Sequence, residues 1–399
     1  LCDGSRPWLG SGGSASEKCT ENNRLLIRAG TDAWLAQTQS VISLPEHDEK
    51  IRQAVNDLWI FLQSTESAGD VEDERRKPKV RDLLAPWNNR DVWETVRERN
   101  EQLSGIEKPA KLAEIEMLLS RGDEIGVDRL GSMLFARVLP RSEWERPWMA
   151  GIERVLLLER LREVTALVGF NRFEPVFADA ETGELDAGAR RGAISLQPGW
   201  APVRENCGEG IFIQFDPGVL EKWRRRAAVQ KRYGELNRAF EIWKKDNPGP
   251  GQRMPSAEYV LLHSFSHLLI AAMSLECGYP AASIRERVYA VPKAGYGILL
   301  FTAGPDAAGS LGGFVEAGRK IARLARIAQE MGALCSNDPV CGQHNPYDEY
   351  GRSAMNGAAC GACLQIAELA CEQGNGFLDR SLVVATVAGS GTGFFPDPA

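Results

Sequence analysis

Five of the nine cysteines lie beyond residue 334: Cys335 and Cys341 in CSNDPVC, then Cys360, Cys363 and Cys371 in AACGACLQIAELAC. Cys360 and Cys363 form a C-x2-C turn flanked by Gly357 and Gly361, a spacing that lets two thiolates face one ion. Cys371 follows after an apolar, helix-forming stretch (Leu364, Ile366, Ala367, Leu369) and can swing back to that ion. A soft, tetrahedral cation suits this ligand set, so structural zinc is the expected cofactor. The preferred quartet is Cys341, Cys360, Cys363 and Cys371. A second arrangement replaces Cys371 with His344, because Cys341 and His344 form a C-x2-H pair facing the C-x2-C pair, and Cys335 competes for the same place. Either quartet is closed, with no position for a catalytic water. Disulfides fit less well, since nine is an odd number and a chain of 399 residues folds without staples.

Cys2 and Cys19 stand in a Gly- and Ser-rich opening and make a second candidate metal site, half of a zinc ribbon whose other ligands are expected in a segment upstream of Leu1. His263 and His267 are four residues apart, hence on one face of a helix, and Glu276 lies nine residues on. A zinc hydrolase helix would carry Glu directly after its first His, and here that position is Ser264. Leu261, Leu262, Phe265, Leu268 and Leu269 surround the pair, which favours buried, hydrogen-bonded imidazoles over a metal-dependent nuclease or hydrolase using His263, His267 and Glu276. Ser264 and Ser266 lack the strained turn that exposes a nucleophile. The loop GPDAAGSLGG has Gly304 and Gly309 spaced as in a P-loop but no Lys after the second Gly, so ATP hydrolysis is not expected of this chain. Trp8 and Glu209 are further candidate recognition residues, although nothing in their spacing requires it.

The elements that must position these residues follow from periodicity. Ile51, Val55, Leu58 and Leu62 predict a helix between about 48 and 65, and helical patterning continues from about 91 to 139 with breaks near Gly105, Pro109 and Gly122. A long helix is expected over 147–168. Short Phe-, Ile- and Val-rich segments (RFEPVFAD, AISLQP, GIFIQFD) read as strands. Helix returns over 218–245 with WRRR and QKRY, the most basic and aromatic-interleaved stretch; Arg224, Arg225, Arg226, Lys231 and Arg232 are therefore the candidate DNA-phosphate contacts. After NPGPGQRMP come an apolar helix (EYVLLHSFSHLLIAAMSLECG), a strand (YGILLFTA), the Gly-rich loop and another helix leading into the cysteines. The expected fold is α+β, multi-lobed and predominantly helical, with a mixed α/β C-terminal domain closed by the Cys-rich zinc site. Its divisions are 1–44 (Cys/Gly-rich), 45–254 (helical and mixed α/β) and 255–399. A net charge of −7 excludes wholesale polyanion binding, so nucleic-acid contact must come from local patches. No apolar run of membrane-spanning length and no secretion signal are evident, which leads to the expectation of a cytoplasmic protein with no membrane contact.

The strings LCDGSRPWLG, CGEGIFIQF, LLHSFSHLLI, LECGYPAASIRERVYA, GILLFTAGPDAAGSLGG, CSNDPVC and AACGACLQIAELACEQGNGFLDRSLVV together resemble the DrmB family of the bacterial DISARM anti-phage systems. The C-terminal part resembles a domain also attached to certain DNA helicases. The likeness is strongest over 255–387. It implies a non-catalytic subunit that binds the helicase DrmA, and a DNA partner, single-stranded or duplex with an overhang. In this reading ATP hydrolysis belongs to the helicase. Because the helicase-attached version looks like a cysteine-ligated zinc module, the resemblance implies zinc on Cys341, Cys360, Cys363 and Cys371. The wide gap from Cys341 to Cys360 departs from the tighter helicase versions and leaves the roles of Cys335 and His344 open.

Overall fold

A computed structural model describes residues 34–45, 49–104, 108–128, 131–172, 178–185, 192, 194, 199–246, 253–302, 313–347, 355–389 and 391–396. Cys2, Cys19, Trp8 and the Gly304–Gly309 loop lie outside the described residues. In chain order the elements are β1 (Trp34–Ile42), α1 (Glu49–Asp57), α2 (Trp59–Leu62), α3 (Ala68–Glu74), α4 (Pro78–Leu84), α5 (Asn89–Ser104), α6 (Ala110–Leu118), β2 (Glu124–Gly126), β3 (Leu134–Val138) and α7 (Arg141–Trp144). Then follow β4 (Ile152–Arg172), β5 (Val203–Phe215), α8 (Pro217–Arg224), α9 (Ala227–Asp246), α10 (Ala257–Cys277), β6 (Ile284–Val291), β7 (Gly295–Thr302), α11 (Gly313–Gly318) and α12 (Ile321–Ala333).

The fold is mixed α/β around one antiparallel sheet in the order β2-β3-β4-β5-β7-β6, with β1 also paired to β4. Side chains alternate across it. Val155 and Leu157 of β4, Ile211 and Ile213 of β5, and Ile298 and Leu300 of β7 enter one core with α10 and α12. Leu156 and Leu158, Phe212, and Leu299 and Phe301 of the same strands enter a second core under Ile115 and Leu118 of α6. Both faces are thus buried, and each Leu or Ile so covered contributes about 1.5–3 kcal/mol relative to exposure. A third apolar cluster (Ile51, Val55, Leu58, Leu62, Val71, Val80, Leu84, Val92, Val96) holds α1–α5 together.

Two expectations are corrected here. The segment expected as a helix over 147–168 is the 21-residue strand β4, and the helical patterning expected to run to 139 ends with α6, giving way to β2 and β3. The described residues form a mixed α/β fold in which the helices pack around a seven-stranded antiparallel sheet. Residues on either side of 254 share that sheet, since β5 pairs with β7 through Ile211 opposite Leu300 and Ile213 opposite Ile298. Of the strings read as strands, GIFIQFD lies in β5 up to Phe215, while most of RFEPVFAD and AISLQP lies outside the described residues.

α10 runs through the middle. Ser256 caps its N-terminus by accepting the amide of Tyr259, and Gly278, at φ 73°, ends it in the left-handed conformation that glycine adopts without penalty. Sixteen of its 21 residues are buried, because it lies between the sheet, α12 and the segment beyond residue 355. It is long and apolar enough to cross a membrane by length and composition, yet 72% of its most apolar window is buried within the protein.

Candidate metal centres

α12 ends at Ala333, and the chain then turns through 335–347 without regular helix or strand. Cys335 and Cys341 lie on this turn, and Cys360 and Cys363 on the next one. Their sulfurs converge: Cys335 Sγ to Cys360 Sγ is 3.5 Å, Cys341 Sγ to Cys363 Sγ 3.7 Å and Cys360 Sγ to Cys363 Sγ 3.7 Å. Tetrahedral zinc with Zn–S bonds of about 2.3 Å separates its sulfurs by about 3.8 Å. A disulfide would need about 2.05 Å, and all four thiols are free. The donor set and its spacing therefore fit structural zinc.

Neighbouring groups orient the thiols. The Asn337 amide donates to Cys335 Sγ at 3.4 Å, the Asn337 side-chain amide to Cys360 Sγ at 3.3 Å, and the Cys360 amide to Cys363 Sγ at 3.3 Å. Buried Arg380 ion-pairs with Asp338 and donates to the Gly332 carbonyl at 2.9 Å. The Cys341 thiol is pushed down, first by its hydrogen bond with Cys363 and further by the Arg380 guanidinium.

The structure divides the expected quartet. Cys341, Cys360 and Cys363 come together, and the fourth sulfur beside them is that of Cys335. Cys371 lies elsewhere, because a short turn over Glu368–Ala370 carries it to α10, where it meets His263, His267 and Glu286. His344 belongs to neither group; it follows Cys341 in a turn closed by its own amide donating to the Cys341 carbonyl. Glu276, expected beside the two histidines, instead pairs with Arg323 at 2.6 Å near the far end of α10.

The second group is fully enclosed. His263 Nε2 is 2.9 Å from Glu286 Oε1 and 3.1 Å from Cys371 Sγ, and His267 Nε2 is 3.1 Å from the same carboxylate oxygen. Burial pushes the Glu286 carboxyl up, and only protonated His263 and His267 would outweigh it and hold it well below the usual range. Burial and the nearby carboxylate push the Cys371 thiol well above its ordinary value.

The basic candidates are differently disposed. Arg224 pairs with Glu258 at 2.9 Å, Arg225 with Glu221, and Arg226 donates to the Gly393 carbonyl at 2.8 Å, all while exposed at the junction of α8 and α9. Lys231 is exposed. Arg232 is largely buried in an ion pair with Asp379 at 2.7 Å. Glu209 is also inside, where its carboxylate accepts the amides of Phe314 and Val315 at 3.0 Å each and caps α11.

Residues 265–364 match the model of the MrfA Zn-binding domain. That span contains Cys335, Cys341, Cys360 and Cys363 and stops short of Cys371. The chain is 36% identical over 249 residues to the DISARM protein DrmB of Bacillus paralicheniformis, an alignment covering 61% of this chain and 42% of that protein. The chain is thus similar to DrmB over a stretch that is less than half of DrmB's length. Among solved structures, the DUF1998 helicase MrfA bound to DNA superposes on 59% of this chain and 25% of its own with 11% identity and a TM-score of 0.27, a likeness too low to carry anything across.

Proposed function

We propose that this chain is a non-catalytic subunit of a bacterial anti-phage DISARM complex that binds the helicase DrmA and helps to form its DNA channel. The likeness to DrmB supports this reading and is the single observation that carries it. Zinc on Cys335, Cys341, Cys360 and Cys363 would hold the turns after α12 in place and supply no chemistry, since four thiolates complete its shell. The histidine pair gives little support to the rival nuclease or hydrolase, because His263 and His267 are 0% and 1% exposed and Glu276 pairs with Arg323 instead. The exposed arginines at the α8–α9 junction, with Lys231, are the proposed phosphate contacts; Arg232, committed to Asp379, is not among those we retain.

Co-purification with a DrmA-type helicase, followed by DNA binding across a salt series, tests the proposal. The complex should bind DNA more tightly than the helicase alone. Charge reversal at Arg225, Arg226 and Lys231 should weaken binding and flatten its salt dependence by about one unit of slope for each phosphate that is no longer neutralised. Unchanged DNA binding with and without this chain would refute the channel role, and cleavage of DNA by the purified chain with a divalent metal, abolished by His263→Ala, would favour the enzyme.

A further inference from the structure

His263 and His267 sit one turn apart on α10, Glu286 faces them from β6, and Cys371 arrives from the turn after Glu368–Ala370. One ligating atom from each lies within 4.8 Å of all the others, and all four residues are buried. Hydrogen bonding sets the direction of each donor. His267 Nδ1 is 2.7 Å from the Leu364 carbonyl, a contact that only an N–H can make. In the neutral ring this leaves the Nε2 lone pair aimed at Glu286 Oε1, acceptor against acceptor at 3.1 Å. Among the described residues His263 Nδ1 has no hydrogen-bond partner, so the ring's polar contacts, with Glu286 and Cys371, are made through Nε2. Cys371 Sγ accepts the amides of Gln373 at 3.4 Å and Asn375 at 3.2 Å, and the first of these repeats the i+2 amide bond on Cys335. The other oxygen of Glu286 is held by the Ser266 hydroxyl.

Extra protons on both imidazoles would relieve the opposed lone pairs, but they would leave several charges in a dry interior at a cost of several kcal/mol per ion. A divalent cation relieves the same conflict and, with one carboxylate, one thiolate and two neutral imidazoles, leaves the site with no net charge. The mixed N, O and S donors, carbonyl-anchored imidazole and amide-solvated sulfur are the outer contacts expected of a zinc site. For the contacts of His263 Nε2 with Glu286 and Cys371 and of His267 Nε2 with Glu286, tetrahedral Zn–N bonds of about 2.0 Å and a Zn–S bond of about 2.3 Å need the donors to move apart by at most about 0.4 Å.

We infer that His263, His267, Glu286 and Cys371 form a second, closed zinc site that clamps the 364–375 segment onto α10 and β6. This inference is independent of the anti-phage reading and of the four-cysteine cluster. Elemental analysis of the full chain, purified with zinc and desalted, tests it through Cys371→Ser, His267→Asn and Cys360→Ser variants. Cys371→Ser and His267→Asn should each lose about one equivalent of zinc relative to the parent chain, whereas Cys360→Ser should keep that equivalent. Cobalt loaded into Cys360→Ser should give tetrahedral ligand-field absorption with single-thiolate intensity. Should any variant fail to fold, a cobalt titration of the parent chain decides: two steps, the weaker in thiolate-to-metal absorption, support the site. A zinc content insensitive to both Cys371→Ser and His267→Asn, or a parent chain whose thiolate absorption develops in one step from the four-cysteine cluster, overturns it and leaves a buried ion pair.

Discussion

Glu114 and Arg287 meet under the sheet as a two-pronged ion pair, with Arg287 Nε to Glu114 Oε2 at 2.5 Å and Nη2 to Oε1 at 2.9 Å. Tyr289 and the Ile42 amide donate to the same carboxylate at 2.8 Å each. Glu114→Ala would leave the buried guanidinium with only Glu372, 3.8 Å away, as a counter-charge, so a loss of about 3 kcal/mol is expected, read from urea unfolding of the variant beside the parent. Asp379 behaves differently with pH. Burial raises its carboxyl, but Arg232 and the Ser381 hydrogen bonds outweigh this and hold it below the ordinary range. A depressed folded-state pKa means stability that is complete above the unfolded value of about 4 and is lost as pH falls through the folded one. Arg232→Leu should therefore destabilise the protein at neutral pH and flatten the decline below about pH 4; denaturation at stepped pH giving parallel curves for both proteins would contradict this. Residue identity made part of this scale legible beforehand. The C-x2-C pair announces itself because both sulfurs belong to one turn, whereas the places of Cys335 and Cys371 depend on how the turn after α12 and the turn after residue 367 pack on α10, which no local spacing records.

Among the elements, β4 shows most clearly where reading the sequence fails. Its run IERVLLLERLREVTALVGF is rich in Leu, Glu and Arg, all good helix formers, and lacks Gly or Pro until Gly169. The two-residue alternation that would mark a strand is erased where Val155, Leu156, Leu157 and Leu158 are all buried, on alternate faces. Pairing with β3, β5 and β1 therefore overrides local preference. α10 was legible because its apolar stretch is bounded by helix signals, Ser256 at its start and Gly278 at its end. Glu286 escaped notice as a neighbour of the histidines because β6 itself went unread in the string ASIRERVYA. The strands also leave a mark in Gly208 of β5, where a Cβ would stand 2.5 Å from the Thr302 carbonyl oxygen and 2.6 Å from its hydroxyl. Backbone cannot yield cheaply there, so Gly208→Ala is expected to cost about 1–3 kcal/mol, seen as a lower denaturant midpoint. A midpoint equal to the parent's would mean that the β5–β7 pairing is looser than these distances require.

For the whole molecule, stability is distributed unevenly, and the metal decides part of the distribution. The sheet is tied by backbone ladders and shares with α10 a core on one of its faces, but among the described residues the four-cysteine segment forms no ladder of its own and meets the core at Ala359, Cys363 and Leu364. Bound zinc stabilises the folded form in proportion to its affinity, because the unfolded turns do not hold four thiolates in register. Removing it exposes a segment whose apolar anchors alone do not offset the entropy of ordering. Amide hydrogen exchange after treatment with a strong chelator should show protection collapsing across 335–347 and 355–363, with the amides of β4, β5 and β7 still protected. Restoring zinc should return the protection without refolding from a denatured state, since the sheet that receives those turns never came apart. Exchange that remained slow through 335–347 and 355–363 after complete metal removal would mean that Arg380, with its bonds to Asp338 and Gly332, holds the turns unaided; simultaneous loss of protection in the sheet would mean that the metal supports the entire fold rather than one part of it.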